Sequence, residues 1–298
     1  MFGVGQAFRG EAKRLMETMG LVESPLFKDV STLFERELSQ SLTMQLRFDA
    51  SFLAVLVRSD APDLRSRLYS LLGSHNIDFP VASGCENIAR EFPHSQWGLK
   101  AAISGELPHA KLSLDRVLDR DEVLEALAIL DIPKGSSIQA LEALEEMTGT
   151  TQIRRLSLSP GKPIRVELFA EHDPTPGGSA RIPQVLGAMT GLTDDPDLAS
   201  LVRLDRDLVQ HGKQAFVVGL DSRGIRQGLK VEYANVPTEG VEPLLAEMTS
   251  APMFAQRRLQ IARRELSIPF LDHLSVRLRS GRPAHLTGYF ARSHVSVA

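Results

Sequence analysis

The sequence predicts an α+β fold: a closed antiparallel β-barrel of ten strands, ringed by helices. Three observations lead to this fold class. Strand-like segments recur in pairs, tight turns join the two members of each pair, and a helical segment follows most pairs. Strands joined by tight turns pair antiparallel, because parallel neighbours need a long crossover connection. Closing the sheet removes its exposed edges and turns one face of every strand towards a common interior.

Five strand pairs carry this prediction. In the first pair, the alternation of apolar and polar residues over 43–49 indicates a half-buried strand, and a more apolar strand follows over 52–57. The other pairs are residues 97–103 with 110–118, 152–158 with 164–171, 215–220 with 228–235, and 273–279 with 285–292. Helices are predicted over residues 5–20, 26–40, 60–73, 121–130, 179–190 and 238–248.

The whole chain, residues 1–298, is assigned to one domain, with N-terminal helices over 1–41 and the barrel over 42–298. The alternative is two open α+β domains that divide near residues 131–150 or 191–212. Both of these stretches have a helix-like composition, without the Gly, Pro and Ser content that is typical of a flexible linker. This composition favours a single domain.

Composition excludes several classes of protein. A hydrophobic fraction of 43% with a formal net charge of −3 excludes a disordered chain. The near-neutral total also excludes binding to a polyanion through bulk charge alone, but it permits a local basic site. The single cysteine, Cys85, cannot form an internal disulfide. The sequence has neither an apolar run of membrane-spanning length nor a signal peptide, so we expect a cytoplasmic protein.

A basic residue lies between apolar neighbours at the centre of six of the predicted strands. These residues are Arg47, Lys100, Lys111, Arg165, Lys230 and Arg277. Successive side chains of a strand point to opposite faces. If the apolar neighbours pack against helices, the basic side chains all point to the other face, which is the lumen of a closed barrel.

The same face is predicted to be polar throughout. It would carry Gln45, Asp49, Ser113, Glu167, Phe169, Glu232, Ser275, Arg279, Thr287 and Tyr289. Several cations that converge in a partly dry space repel one another unless an anion neutralises them, and a diphosphate suits such a cluster through charge-assisted hydrogen bonds. The alternative is a solvated face of an open sheet, on which the acidic residues of the same face are the partners of the bases.

The order of hairpins and helices, with basic residues at strand centres, resembles that of the ABBA-fold prenyltransferases. The nearest likeness is to the peptide prenyltransferases of cyanobactin pathways. Short stretches carry the resemblance: Pro25 to Val30 before the first hairpin, Arg165 to Glu171, and Val218-Gly219-Leu220 through Leu229 to Tyr233. The resemblance spans most of the chain as a pattern of elements.

The resemblance implies transfer of a short allylic group, dimethylallyl or similar, from its diphosphate to an aromatic or peptide side-chain acceptor. The diphosphate would bind to the six strand-centre bases, with Tyr289 as a hydroxyl donor or a wall for the carbocation. No tightly bound cofactor and no protein-held metal are implied, and Mg²⁺ that accompanies the diphosphate is left open. Neither a nucleic acid nor a membrane is expected as a partner.

The chain departs from this family at two points. The peptide-modifying relatives carry a carboxylate base where the chain enters the first strand, but this sequence reads Leu38-Ser39-Gln40-Ser41. The candidate bases are therefore Asp49, Glu167 and Glu232. Aromatic residues are only 6% of the chain, and Phe169, Tyr289 and Trp97 are the candidates to shield a carbocation. A non-catalytic barrel that binds an anion or a peptide remains an alternative, as does an open-sheet interaction protein.

Other signals are weaker. Pro196 interrupts the acidic run Asp194-Asp195-Pro196-Asp197, which predicts a capped helix start and not a metal motif. The histidines and Cys85 lack the spacing of metal ligands. Residues 252–298 contain eight arginines but no interleaved aromatic platform, which favours a solvated basic face over a nucleic-acid site.

Overall fold

The computed structural model describes residues 4–36, 41–59, 70–71, 73–75, 87–88, 90–93, 95–105, 109–159, 163–172, 187, 191–192, 195–209 and 212–292. Within this part of the chain, no helix combines the length and the apolar character needed to cross a membrane. The predicted helices over 60–73 and 179–190, together with Cys85 and residues 37–40, lie largely or wholly outside the described residues.

In the described part of the chain, eleven strands form a single antiparallel sheet. They are β1 (Ser41–Arg47), β2 (Phe52–Ser59), β3 (Gln96–Ala102), β4 (Ala110–Leu118), β5 (Ile153–Ser159), β6 (Arg165–His172), β7 (Gln214–Asp221), β8 (Gly224–Ile225), β9 (Leu229–Pro237), β10 (Phe270–Arg279) and β11 (Arg282–Arg292). Seven helices are described: α1 (Val4–Met19), α2 (Leu26–Arg36), α3 (Arg120–Ile129), α4 (Lys134–Thr148), α5 (Pro196–Val209), α6 (Thr238–Met248) and α7 (Pro252–Leu266).

Ten of the strands close into a ring. Strands β1 to β7 pair in chain order, each with the one before it. The ring then continues from β7 to β9, β10 and β11, and β11 pairs with β1 to close it. The two-residue strand β8 only extends the turn that follows β7. The closed ten-stranded barrel predicted from the sequence is thereby confirmed. Strands from both sides of the two candidate division points, near residues 131–150 and 191–212, belong to this one sheet.

The hydrophobic core lies on the outer face of the barrel, where the helices pack. On β10, Leu274, Val276 and Leu278 are buried in this core, whereas the intervening residues point inwards. Helix α6 contacts β9 and β11 and contributes buried apolar residues to the same core. Full burial of a side chain of this size contributes about 1.5–3 kcal/mol, so the outer face holds the barrel together and the lumen is left for polar groups.

The structure differs from the sequence prediction mainly in helices. Helix α4 occupies most of the stretch 131–150 and α5 most of the stretch 191–212, so both helix-like stretches form helices. Helix α7 occupies the start of the arginine-rich segment. Strands β10 and β11 each begin three residues earlier than predicted. β10 begins early because Phe270 and Leu271 pair with Pro237 and Val236 of β9. β11 begins early because Gly281, with a φ of 67°, forms a tight turn that lets pairing continue to Arg279 and Arg282.

Gly288 of β11 is the point of closest packing between strand and core. A Cβ atom there would lie 2.8 Å from Cζ of the buried Phe48 ring. We expect Gly288→Ala to lower the free energy of unfolding by about 1–3 kcal/mol, because the ring has no room to move. Chemical denaturation measures this change. Gly240→Ala, in α6 with no atom within 4 Å of its added Cβ, is the control and should not destabilise the protein. Equal stabilities for the two variants would contradict this packing.

Candidate active site

A cavity of about 300 Å³ occupies the end of the barrel at which β1 ends and β2 begins. Its lining contains all six of the strand-centre bases, Arg47, Lys100, Lys111, Arg165, Lys230 and Arg277. It also contains nine of the ten further residues predicted for this face, all except Asp49. Six cations from separate strands therefore meet around one enclosed space. The open-sheet alternative, in which each base is solvated independently, does not describe this protein.

Cations greatly outnumber carboxylates in this cavity. Arg155, Arg226 and Arg279 join the six strand-centre bases, so nine cationic side chains line the described part of the wall against two carboxylates, Glu167 and Glu232. Arg155 was not among the predicted residues because Arg154 precedes it, although the alternation with Leu156 and Leu158 places it on the inner face. Arg226 lies in a turn, where no periodicity could have indicated it.

Glu167 neutralises part of this charge from the middle of β6. Its carboxylate accepts a hydrogen bond from Arg277, and Nζ of Lys111 lies 3.5 Å from its Oε1. Burial opposes ionisation of Glu167, but the charges of Arg277, Lys111 and Lys230 outweigh it and hold the pKa well below the usual range. Glu167 is therefore an ionised, fully engaged partner of the cations.

Glu232 of β9 has a similar environment. Its carboxylate lies 2.6 Å from Nζ of Lys230 and accepts a hydrogen bond of 3.0 Å from Arg155. Burial again opposes ionisation, and the two cations again lower the pKa below its ordinary value. A carboxylate that is held in this way is a weak proton acceptor.

Asp49, the third candidate base, is not placed in the cavity wall. It follows the last residue of β1 in a turn, where its Oδ2 lies 2.6 Å from Nη2 of Arg47 and 2.6 Å from Nδ1 of His285. Burial raises the pKa of Asp49, but the hydrogen bonds from His285 and Arg47 lower it below the ordinary value overall. The position of Asp49 suits it to orient Arg47 at the mouth of the cavity.

Three of the cations have no carboxylate within ion-pair distance among the described residues. They are Lys100, Arg165 and Arg279. Burial, together with the charges of Lys111 and Lys230, lowers the pKa of Lys100 well below the ordinary value. Burial also lowers the pKa of Lys111 to about 8, despite the opposing influence of Glu167. The cavity is therefore short of negative charge, and a polyanion would relieve the repulsion.

The predicted aromatic wall is only partly present. Tyr289 and Phe169 line the cavity, and Phe52 joins them at the mouth. The Phe169 ring already faces two cations of the protein, with the Arg155 guanidinium 3.8 Å and Lys230 Nζ 4.5 Å from its centroid. Trp97 is buried in the outer core, so the expectation that it shields the lumen is wrong. Trp97 and Lys100 are three residues apart on β3, so their side chains point to opposite faces of the sheet.

A second cavity, of about 430 Å³, opens at the opposite end of the barrel. Its lining includes Asp115 of β4 and His273 of β10, and it shares Arg155, Phe169 and Glu232 with the first cavity. The two cavities therefore meet at these three residues, in the middle of the barrel. The sequence pattern did not indicate this second space, because its residues lie near strand ends and do not share one residue type.

The weaker sequence signals have local structural roles. Asp195 precedes α5, and its side chain accepts a hydrogen bond of 2.9 Å from the backbone N–H of Asp197, as a helix cap does. Among the described residues, no group of three or more His, Cys, Asp or Glu is arranged to hold a metal ion. In the arginine-rich segment, Arg258 is buried and donates to the carbonyl of Ala50.

Solved prenyltransferases have the same architecture. The 5-dimethylallyl tryptophan synthase of Streptomyces coelicolor, solved with DMASPP and Trp, is 14% identical to this chain with a TM-score of 0.70, and the match covers 99% of this chain and 96% of that one. PriB, solved with L-tryptophan and dimethylallyl thiolodiphosphate, is 16% identical with a TM-score of 0.64 and covers 96% and 95%. NotF, solved with brevianamide F and DMSPP, is 12% identical with a TM-score of 0.57 and covers 95% and 92%.

At these identities the likeness establishes the fold. The chain has the ABBA prenyltransferase barrel, as the resemblance predicted, over almost its whole length. No family model matches the sequence, and no curated protein matches it. The nearer likeness to the cyanobactin-pathway enzymes stays a prediction.

The lowered pKa of Lys111 makes stability depend on pH. Between about pH 8 and its ordinary pKa of 10.5, this lysine binds fewer protons in the folded state than in the unfolded state, so its contribution makes stability rise with pH. We expect the melting temperature of the ligand-free protein to fall less steeply above pH 8 than that of Lys111→Met, which lacks this contribution. Thermal unfolding of both proteins from pH 7 to 9.5 measures the difference. Parallel curves would contradict it.

Proposed function

We propose that this protein is a prenyltransferase that moves a short allylic group, dimethylallyl or a close relative, from its diphosphate to an aromatic or peptide side-chain acceptor. The observation that carries the proposal is the excess of positive charge in the described wall of the first cavity, where nine Lys and Arg side chains face two carboxylates. A diphosphate concentrates negative charge on a few oxygens and so complements this wall.

The diphosphate would bind to the cations that lack carboxylate partners, Lys100, Arg165 and Arg279, and to Lys111, Lys230 and Arg277 deeper in the lumen. When the allylic C–O bond breaks, its electron pair leaves with the diphosphate. The cations already face the oxygens on which this charge develops, so they stabilise the transition state without reorganisation. Arg47, held by Asp49, would contact the same group from the mouth.

The acceptor would enter the second cavity and meet the allylic group at the middle of the barrel. Tyr289 and Phe169 lie at this level, and the enclosing strands limit the water that could capture a carbocation. The solved complexes of PriB and NotF hold both a dimethylallyl analogue and an acceptor, L-tryptophan or brevianamide F. An aromatic ring of this kind is a suitable first acceptor to test.

The donor set of the first cavity favours catalysis without Mg²⁺. The ion prefers carboxylate and water oxygens, but the two carboxylates of the described wall, Glu167 and Glu232, are each engaged by cations. We propose that these lysines and arginines do the work of charge neutralisation. A cytoplasmic location and the single-domain assignment of residues 1–298 stay predictions.

A non-catalytic anion-binding barrel is the second candidate. The position of Phe169 favours it, because the cations Arg155 and Lys230 already face this ring and leave Tyr289 as the principal remaining aromatic wall. Such a protein would bind a diphosphate without turning it over. Binding and turnover therefore have to be measured separately.

Binding is expected to depend on the lumenal lysines. Titration calorimetry with inorganic pyrophosphate should give a saturable heat for the wild type and a loss of affinity of about 10- to 100-fold for Lys111→Ala or Lys230→Ala, since each variant removes a charge-assisted contact. Lys13→Ala is the control, because Lys13 is exposed on α1 outside the cavity. Unchanged affinity in both lumenal variants would rule out this diphosphate site.

Turnover is expected with dimethylallyl diphosphate and an acceptor. L-tryptophan, brevianamide F and a set of short peptides with Trp or Tyr are the probes, and mass spectrometry should detect a dimethylallyl group in place of one hydrogen. Removal of divalent metal with EDTA should change the rate by less than about twofold, because lysines and arginines supply the neutralising charge. Tight pyrophosphate binding with neither adduct nor pyrophosphate release from the substrate would favour the non-catalytic candidate.

A further inference from the structure

Prenylation of an aromatic carbon or of a side-chain heteroatom releases a proton, and the proposed reaction needs a group that accepts it. The three carboxylates predicted for this task are poorly suited. Glu167 and Glu232 are each bound to two cationic side chains, and Asp49 lies between Arg47 and His285 outside the cavity wall. Protonation of any of them would sacrifice ion pairs that hold the site together.

His273 lies where an acceptor would bring its proton. It lines the second cavity from β10, and it pairs in the sheet with Tyr289 of β11, which lines the first cavity. The two rings meet edge to face, with centroids 6.3 Å apart. His273 therefore stands beside the junction of the two cavities, and its ring is accessible from the open second cavity.

The ring nitrogens of His273 make no hydrogen bond to any described residue, so they are open to a ligand in the cavity. The charged groups around the ring come from several strands: Glu232 from β9, Arg155 from β5, Arg58 from β2, and Asp272 from β10 itself. Burial lowers the pKa of His273. Arg155 and Arg58 lower it further, against the opposing influence of Glu232 and Asp272. The imidazole is consequently neutral at pH 7 and has a lone pair available.

We propose that His273 accepts the proton that the prenyl acceptor loses as the new bond forms. This assignment rests on the proposed function. The allylic C–O bond breaks and its electron pair leaves with the diphosphate. The acceptor atom supplies the electron pair of the new bond to the allylic carbon, and the pair of its broken bond to hydrogen stays on the acceptor. The released proton binds a nitrogen of the neutral imidazole, which becomes imidazolium and passes the proton to water through the second mouth.

Glu232 gives this arrangement a further use. Its carboxylate lies on both cavities and is ionised, so it stabilises positive charge on His273 once the proton has transferred. It thus assists as a charged neighbour without itself being the base. On the other side, the cations of the first cavity stabilise the departing diphosphate. The two charges that the reaction creates are therefore neutralised by different residues, the diphosphate by the cations of the first cavity and the imidazolium by Glu232 at the junction.

The test compares His273→Ala with His172→Ala, in which the same residue type is changed on β6 outside both cavity linings. With dimethylallyl diphosphate and the acceptor that the wild type uses best, we expect kcat to fall about 100-fold or more in His273→Ala. Added imidazole should restore part of this rate, because the open cavity admits it. The control should keep the wild-type rate and show no response to imidazole.

The pH profile separates proton transfer from a merely structural role. For the wild type, kcat/KM should fall as pH drops through the pKa of His273, and this inflection should be absent from His273→Ala. Pyrophosphate binding by calorimetry should be unchanged in the variant, which shows that it is folded. An independent measurement is the imidazole titration of His273 by NMR: a pKa below the ordinary value of 6.5 supports the assignment, and a pKa at or above that value overturns it.

The outcomes distinguish this inference from the proposed function. If the wild type forms the prenylated product and His273→Ala forms it equally fast, without rescue or a change of pH profile, His273 is not the proton acceptor although the enzyme is a prenyltransferase. If the wild type binds pyrophosphate but neither forms product nor cleaves dimethylallyl diphosphate, the proposed function fails and this assignment fails with it.

Discussion

The concentration of positive charge inside a closed barrel is the constraint on which the rest of the structure depends. Like charges that are removed from water repel strongly, and burial adds a desolvation cost to each of them. The outer hydrophobic core has to offset this cost, which is why one face of the strands is almost wholly apolar. The same two effects, desolvation and repulsion by neighbouring cations, lower the pKa values of Lys111 and Lys100. A bound polyanion would remove it, so the site is poised for such a ligand.

This constraint also accounts for the two carboxylates in the described wall of the first cavity. Glu167 of β6 pairs with Lys111 of β4 and Arg277 of β10, and Glu232 of β9 pairs with Lys230 of the same strand and Arg155 of β5, so both reduce the repulsion among cations in the ligand-free barrel. That structural role competes with catalysis, because a carboxylate that is stabilised as an anion is a poor proton acceptor. A neutral group that faces the other cavity can meet the need instead, and His273 is so placed. Charge neutralisation and proton transfer are thereby assigned to different residues.

The division of the lumen into two cavities organises the proposed chemistry in space. The first cavity is cationic and suits the leaving group, whereas the second is lined by both charges, amides and an imidazole. Arg155, Phe169 and Glu232 line both cavities, so a ligand in either cavity contacts residues that also line the other. The two candidate functions differ in whether the aromatic rings described at this junction can shield a carbocation. The Phe169 ring already faces Arg155 and Lys230, which favours the non-catalytic barrel.

Alternation along single strands was enough to determine the inner face of the barrel. Arg47, Lys111 and Arg277 each lie between apolar neighbours, so their common orientation follows from strand geometry alone, and the repeated hairpins made ring closure the natural arrangement. Alternation determines the face of the sheet to which a side chain points, but it does not determine the distance between side chains on different strands. Only the folded ring brings Arg155 onto Glu232 across distant strands, removes Asp49 from the wall and sets His273 beside Tyr289. These relations depend on register and on the packing of strands far apart in the chain, which no local pattern encodes.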